Sequence, residues 1–415
     1  MSLPDHRSAD GLQTRRGHLK SLALGSLGLL AAGTGVGCNR RPANEGLSRF
    51  ERWKREHRPP RPPFPLTPRL RLLIWRDYLD PQLLEKFAED YKVELDVTYF
   101  ENNSELKKVA ESKPDAFDLL MPSDYVVQRF IRQDLIAPLN KANLPNLGNV
   151  SPLFFRSPYD PELQYSVPLF HSCLGVTFNR EDVRYIPKTF SLRMPTREEE
   201  LLMYGYRALI DEPRVALTAA LMDDGVGPND ATAQTLQKVT DRLINETGEL
   251  GIRYLASQLP SALARNEIKL SVNWSGAAAV ALKSNPSIRF VLPSSSKLVQ
   301  VDSFVIPKAS NAKSTAEFFL NYLLDPGVSG ALTNYSLYAN TVELSRSYVD
   351  REILLGPAYM QPALRERVFI TDLGPLEDEF EAQWKRLRLL APKVTAKVPL
   401  PPQVDNQTYD AATTR

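Results

Sequence analysis

Between residues 70 and 131 the apolar positions follow two alternating rhythms. A short apolar run over 70–75 reads as a buried strand. Asp80-Pro81 then supplies an N-cap and a first-turn proline for a helix. Leu83, Leu84, Phe87, Ala88 and Tyr91 recur at helical spacing and form its buried stripe. Residues 93–100 alternate apolar and polar like a half-buried strand, and a short helix follows over 105–112. The run 117–121 reads as another buried strand. Ser123 caps a helix that buries Tyr125, Val126, Phe130 and Ile131. Strands and helices in alternation predict an α/β fold with a doubly wound, mostly parallel sheet. Ligands of such sheets sit beyond the carboxyl ends of the strands. Trp75 ends the first strand and Ser123-Asp124-Tyr125 follows the third, so topology alone makes them pocket candidates.

The same pattern returns further on. Leu209-Ile210 leads into Asp211-Glu212-Pro213-Arg214 and a helix over 216–222. A strand over 268–274 ends at Trp274, and Ser275-Gly276 opens an Ala-rich helix. Strands over 288–292 and 302–307 follow, then a helix over 315–324. Asp302 stands at the start of the latter strand, where the chain is expected to cross back. No internal repeat is evident.

The N-terminal 37 residues have a different character. Arg15-Arg16 precedes a Gly- and Leu-rich apolar run that ends Gly35-Val36-Gly37-Cys38. This reads as a twin-arginine (Tat) export signal closed by a lipobox, with Cys38 acylated as the first mature residue. Gly35 stands where a Leu is usual. The apolar run is too weak for a membrane-spanning helix. The chain has 51 Lys and Arg against 49 Asp and Glu; residues 1–37 hold four of the former and two of the latter, which leaves 47 of each. A neutral mature chain has no global field to recruit nucleic acid or anionic lipid. With Cys38 lipidated, Cys173 stands alone and no intramolecular disulfide can form. Of the four His, only His57 and His171 survive processing, which excludes a His-rich metal site. No cofactor motif is present. Prolines between 59 and 68 predict an extended tether over 38–68, and those after Leu390 a disordered tail over 391–415.

Five segments carry a resemblance: Ile74-Trp75-Arg76-Asp77-Tyr78, Phe117-Asp118-Leu119-Leu120-Met121-Pro122-Ser123-Asp124-Tyr125, Tyr165-Ser166-Val167-Pro168, Asn273-Trp274-Ser275-Gly276 and Asp302-Ser303-Phe304-Val305-Ile306-Pro307. In order and spacing, residues 69–390 resemble the spermidine/putrescine-binding proteins of bacterial ABC importers. The resemblance implies a periplasmic-binding-protein fold of two lobes, a hinge of crossing strands and a cleft between them. The lobes would be 69–178 with 303–345 and 179–302 with 346–390. It implies a polyamine ligand, an ABC permease as partner and no catalysis. The lipobox makes lipid the expected membrane attachment, and a monomer is the default expectation. Carried over position by position, the resemblance implies ligand contacts at Trp75, Tyr78, Ser123, Tyr125, Glu212, Trp274 and Asp302. Asp124, His171, Tyr335 and Tyr338 are secondary candidates. Aromatic faces suit ammonium groups and methylenes, and carboxylates anchor charged amines. Here the rings would sandwich the chain, Asp302 and Glu212 would hold its amines, and Ser123 would accept a further N–H.

Four family contact positions depart from the pattern: an acid is replaced by Val215, a Trp by Gln300, a Gln by Ile370, and the Trp after Val-Pro by His171. Asp77 and Asp124 are close enough in sequence to supply the missing charge. Other readings stay open at this level. The tryptophans fit as core aromatics, Ser123 as a plain N-cap, Glu212 as a first-turn acid and Asp302 as a hinge acid. The cleft could take another organic solute, ferric iron through Tyr335 and Tyr338, or a substrate for an Asp/Glu acid–base pair.

Overall fold

The computed structural model describes Trp53 and residues 60–294, 296–362 and 366–394. The export signal, the lipobox with Cys38, most of the tether and the tail beyond 394 lie outside the described residues. The chain begins with β1 (Arg69–Trp75), α1 (Pro81–Tyr91), β2 (Glu94–Phe100), α2 (Asn103–Ser112), β3 (Leu119–Leu120) and α3 (Asp124–Arg132). The long strand β4 (Ser166–Asn179) leads to β5 (Arg207–Ile210), α4 (Pro213–Asp223), α5 (Ala233–Leu250), β6 (Ile252–Leu255), β7 (Leu270–Trp274), α6 (Ser275–Ser284) and β8 (Ile288–Val291). Then come β9 (Leu298–Val305), α7 (Lys313–Leu323), α8 (Pro326–Ser336), β10 (Ala339–Asn340), β11 (Val368–Phe369) and α9 (Leu376–Leu390).

The strands hydrogen-bond in the order β2-β1-β3-β9-β4-β7-β5-β6, with β8 and β10 on β4 and β11 on β9. At one end β1 pairs in parallel with β2 and β3; at the other β5 pairs in parallel with β6 and β7. These are the two expected α/β halves. β4 joins them. Its first half runs antiparallel to β9 as far as Cys173, and from Leu174 onward it pairs with β7. The strand is buried along its whole length, as expected of one covered on both faces. The expected division after residue 178 therefore falls inside a shared strand. The expected start of the return strand at Asp302 is also displaced: β9 begins at Leu298, and Asp302 lies in its interior.

Local chemistry explains the element boundaries that frame the cleft. The Asp80 carboxylate accepts from the Gln82 amide with Pro81 at the first helical position, as anticipated. Ser123 sits at the N-cap of α3, but its side chain makes no capping bond. α9 joins the second half through a buried ion pair between Arg214 and Glu377 at 3.0 Å. The described end of the tether is not free of the fold. The Thr67 amide donates to Thr315 Oγ1, and Phe64 meets Phe318 edge-on at 6.4 Å.

Candidate functional site

The parallel strands of both halves present their carboxyl ends to one cavity of about 310 Å³, at the lower end of the range of small-molecule sites. Trp75 closes β1, Phe100 and Glu101 end β2, Asp211 and Glu212 follow β5, Ala256 and Ser257 follow β6, and Trp274 closes β7. Tyr78, Tyr338 and Gln300 complete much of the wall. Its charged lining is one-sided: Asp77, Glu101, Asp211 and Glu212 against Arg76. Arg76 already pairs with Glu101 at 3.2 Å.

Behind this wall lies a network of buried donors and carboxylates. Tyr78 Oη donates to Asp302 Oδ2 at 2.9 Å, Ser123 Oγ to Asp302 Oδ1 at 2.7 Å, and Gln300 Nε2 to the same oxygen at 3.3 Å. Burial pushes the Asp302 carboxyl up to about 6, with these donors opposing the rise. Trp75 Nε1 is buried without a hydrogen-bond partner among the described residues. Across the cleft, Glu212 Oε1 accepts from Tyr125 Oη at 3.0 Å and Oε2 from the Asn103 amide at 3.0 Å. A carboxylate of the second half is thus held by donors of the first. Burial raises Glu212 to about 7, although the Asn103 amide, Lys107 and Tyr125 favour its charged form. Two carboxyls that titrate near neutrality, in a site with little basic charge, can exchange protons for a cation.

The aromatic walls are built with equal specificity. Trp75 packs on Phe100 at 4.3 Å between centroids, and Tyr78 lies 4.7 Å from Tyr338. Gly276 explains the small residue after Trp274-Ser275. A Cβ there would come within 2.3 Å of the Tyr338 ring, so glycine at the start of α6 lets that ring enter the cleft.

The structure brings Trp75, Tyr78, Glu212, Trp274 and Tyr338 onto the cavity wall, and Asp302 directly behind Tyr78. Four expectations change. Ser123 and Tyr125 do not line the cavity; they are buried beneath it and spend their hydroxyls on Asp302 and Glu212, so ring stacking by Tyr125 and acceptance of an N–H by Ser123 give way to carboxylate support. Asp124 is fully buried, its carboxyl raised well above the usual range by desolvation, and it does not reach the cavity. Tyr335 is 41% exposed on the last turn of α8, outside the cavity, so it cannot join Tyr338 in holding iron there. Among the described residues no group of three or more His, Cys, Asp or Glu could hold a metal ion.

His171 is the fourth. In the β4–β9 ladder Phe170 faces Asp302 and His171 faces Val301. Successive side chains point to opposite faces of a sheet. Phe170 therefore meets Tyr78 on the cleft side at 5.1 Å, while His171 lines a separate cavity on the far face. The other three departures from the family pattern also find a place. Val215 is buried inside α4 and Ile370 is fully buried, whereas Gln300 lies on the cavity wall. Asp77, Glu101 and Asp211 supply negative charge on the cavity wall, which Val215 does not reach. Glu101 and Asp211 escaped sequence reasoning, although each directly follows a strand terminus.

Residues 82–339 match the family model described as bacterial extracellular solute-binding protein. The chain belongs to this family. It is 25% identical over 317 residues to a putrescine-binding periplasmic protein of Escherichia coli (strain K12), covering 72% of this chain and 85% of that one. It is 25% identical over 322 residues to the spermidine/putrescine-binding periplasmic protein of the same organism, covering 76% and 90%. A solved structure titled as a putative spermidine/putrescine ABC transporter from Listeria monocytogenes superposes with a TM-score of 0.71 at 24% identity, over 78% of this chain and 99% of that one. The fold is the two-lobed periplasmic-binding-protein fold. The protein is an extracytoplasmic solute-binding protein, not an enzyme.

Proposed function

We propose that this protein captures a polyamine of the spermidine or putrescine type in the interlobe cavity and delivers it to an ABC permease. The observation that carries this reading is the cavity's one-sided charge: four carboxylates and one arginine, already paired, among tryptophan and tyrosine faces. A flexible chain of protonated amines needs carboxylates near its charges and aromatic faces along its methylenes. Glu212 on the wall and the charge of Asp302 behind Tyr78 draw in the amines, and Trp75, Tyr78, Trp274 and Tyr338 enclose the chain. The printed functions of the two Escherichia coli relatives support the same class of ligand. Lobe closure over the ligand makes the form that docks. Tat export and acylation of Cys38 would hold the protein at a membrane surface; the motif at 14–38 supports this part of the reading.

The test is calorimetric titration of the full-length chain with spermidine, putrescine and an uncharged diol of matched length. Saturable binding of an amine and none of the diol supports the proposal. Absence of binding by both amines at millimolar concentration would remove the ligand class.

A further inference from the structure

The far face of the crossing strands carries a second cavity, of about 630 Å³, which the interlobe site does not use. Its charge is the reverse of the cleft's. Arg156, Arg346 and Arg367 line it, with Glu343 as its acid. None of the three arginines has an ion-pair partner among the described residues. The guanidiniums of Arg156 and Arg346 donate no hydrogen bond there, and Arg367 donates one, from Nε to the Pro362 carbonyl at 3.3 Å. Arg346 is held over the Tyr359 ring at 5.4 Å, which orients the guanidinium plane without consuming its donors.

His171 reports the field of this cavity. It is 6% exposed, packs against Phe154 at 5.4 Å between centroids, and its Nδ1 lies 2.8 Å from Gln361 Nε2. Burial, aided by Arg367 and Arg346, lowers its pKa to about 3. The imidazole is therefore neutral and fills the wall without adding charge. Arg156 and Arg346 are exposed and Arg367 is half-buried, so the three guanidiniums turn free donors toward an open, solvent-accessible volume. Their fork geometry matches carboxylate and phosphate oxygens two at a time.

We infer that this cavity is a second binding site, selective for a small oxyanion bearing carboxylate or phosphate, held by Arg156, Arg346 and Arg367 on the side of the hinge opposite the cleft. The same chemistry could be offered by a free anion or by a lipid headgroup, and the experiment separates the two. Thermal unfolding and calorimetry of the full-length chain are followed with inorganic phosphate and with citrate, against sodium chloride at matched ionic strength. Flotation with phosphatidylglycerol vesicles is compared with neutral phosphatidylcholine vesicles.

A saturable response to phosphate or citrate, weakened roughly tenfold or more in Arg346→Gln and in Arg156→Gln, is expected. Arg346→Lys, which keeps charge but loses the fork, should fall between. The cleft variant Asp302→Asn should keep the anion response, which separates this site from the proposed polyamine function. Soluble-anion binding without flotation assigns a free anion. Flotation on the anionic vesicles that the same arginine variants abolish assigns a headgroup. If the arginine variants respond like the wild type, or if sodium chloride gives the same response, the proposal is wrong. Circular dichroism of each variant distinguishes lost binding from lost folding.

Discussion

The two faces of the β4–β9 ladder carry opposite chemistry on shared strands. On one, Phe170, Gln300 and Asp302 back an acidic, aromatic cavity between the halves of the molecule. On the other, His171 sits among arginines. Consecutive residues separate them, because side chains alternate across a strand. Position along a crossing strand therefore decides little until its parity is known, and a step of one residue moves a side chain from a cation's environment to an anion's.

The largest expected effect is at Asp302. Asp302→Asn keeps the shape and removes the charge, and should weaken spermidine binding about a hundredfold, or about 3 kcal/mol. An unchanged affinity by calorimetry would mean that the ligand does not use this carboxyl. Next is pH. The folded pKa of Glu212 is about 7 against an ordinary 4.5, so the ligand-free fold binds a proton there that the unfolded chain has released. This contribution to stability is full below about pH 4.5 and is lost as pH rises through 7, a change of a few kcal/mol. Thermal unfolding of the ligand-free chain should decline more steeply between pH 5 and 8 than that of Glu212→Gln. Parallel profiles would show that Glu212 titrates normally.

Gly276→Ala places a methyl against the Tyr338 ring and should cost about 2 kcal/mol of stability. Full stability with full affinity would mean that the ring moves freely. Trp274→Ala should weaken spermidine binding about tenfold; a change below twofold would show that this face makes no ligand contact. The smallest effect should be at His171. His171→Leu should leave spermidine affinity within about twofold. A large loss would join the two cavities and undo the contrast between them.

Much of this arrangement was legible in the sequence because strand termini are. Trp75, Glu212 and Trp274 each stand at or beside a strand's carboxyl end, and fold logic alone directs such residues at a cleft. The same logic applies to Glu101 and Asp211, whose neighbours Phe100 and Ile210 end apolar runs. Side-chain direction was not legible. Ser123 occupies an N-cap position, yet its hydroxyl donates to the buried Asp302 rather than accepting from the helix amides, since an unpaired buried carboxylate costs more than an uncapped turn. The helical spacing after Ser123 places Tyr125 on the buried face, but nothing in it shows that the hydroxyl reaches Glu212 across 87 residues of sequence. His171 could have been placed by counting alternation from Val167, except that the register shifts between Pro168 and Phe170; such an irregularity breaks the count.

The central claim is that buried carboxyls in the cleft give up protons to take in a cation. Calorimetry of spermidine binding near pH 6, in two buffers of different ionisation heat, measures this directly, since the amines stay charged there. Net proton release near pH 6 that declines towards pH 8, and that falls in Glu212→Gln, is the predicted result. Binding heats independent of buffer at both pH values would contradict it.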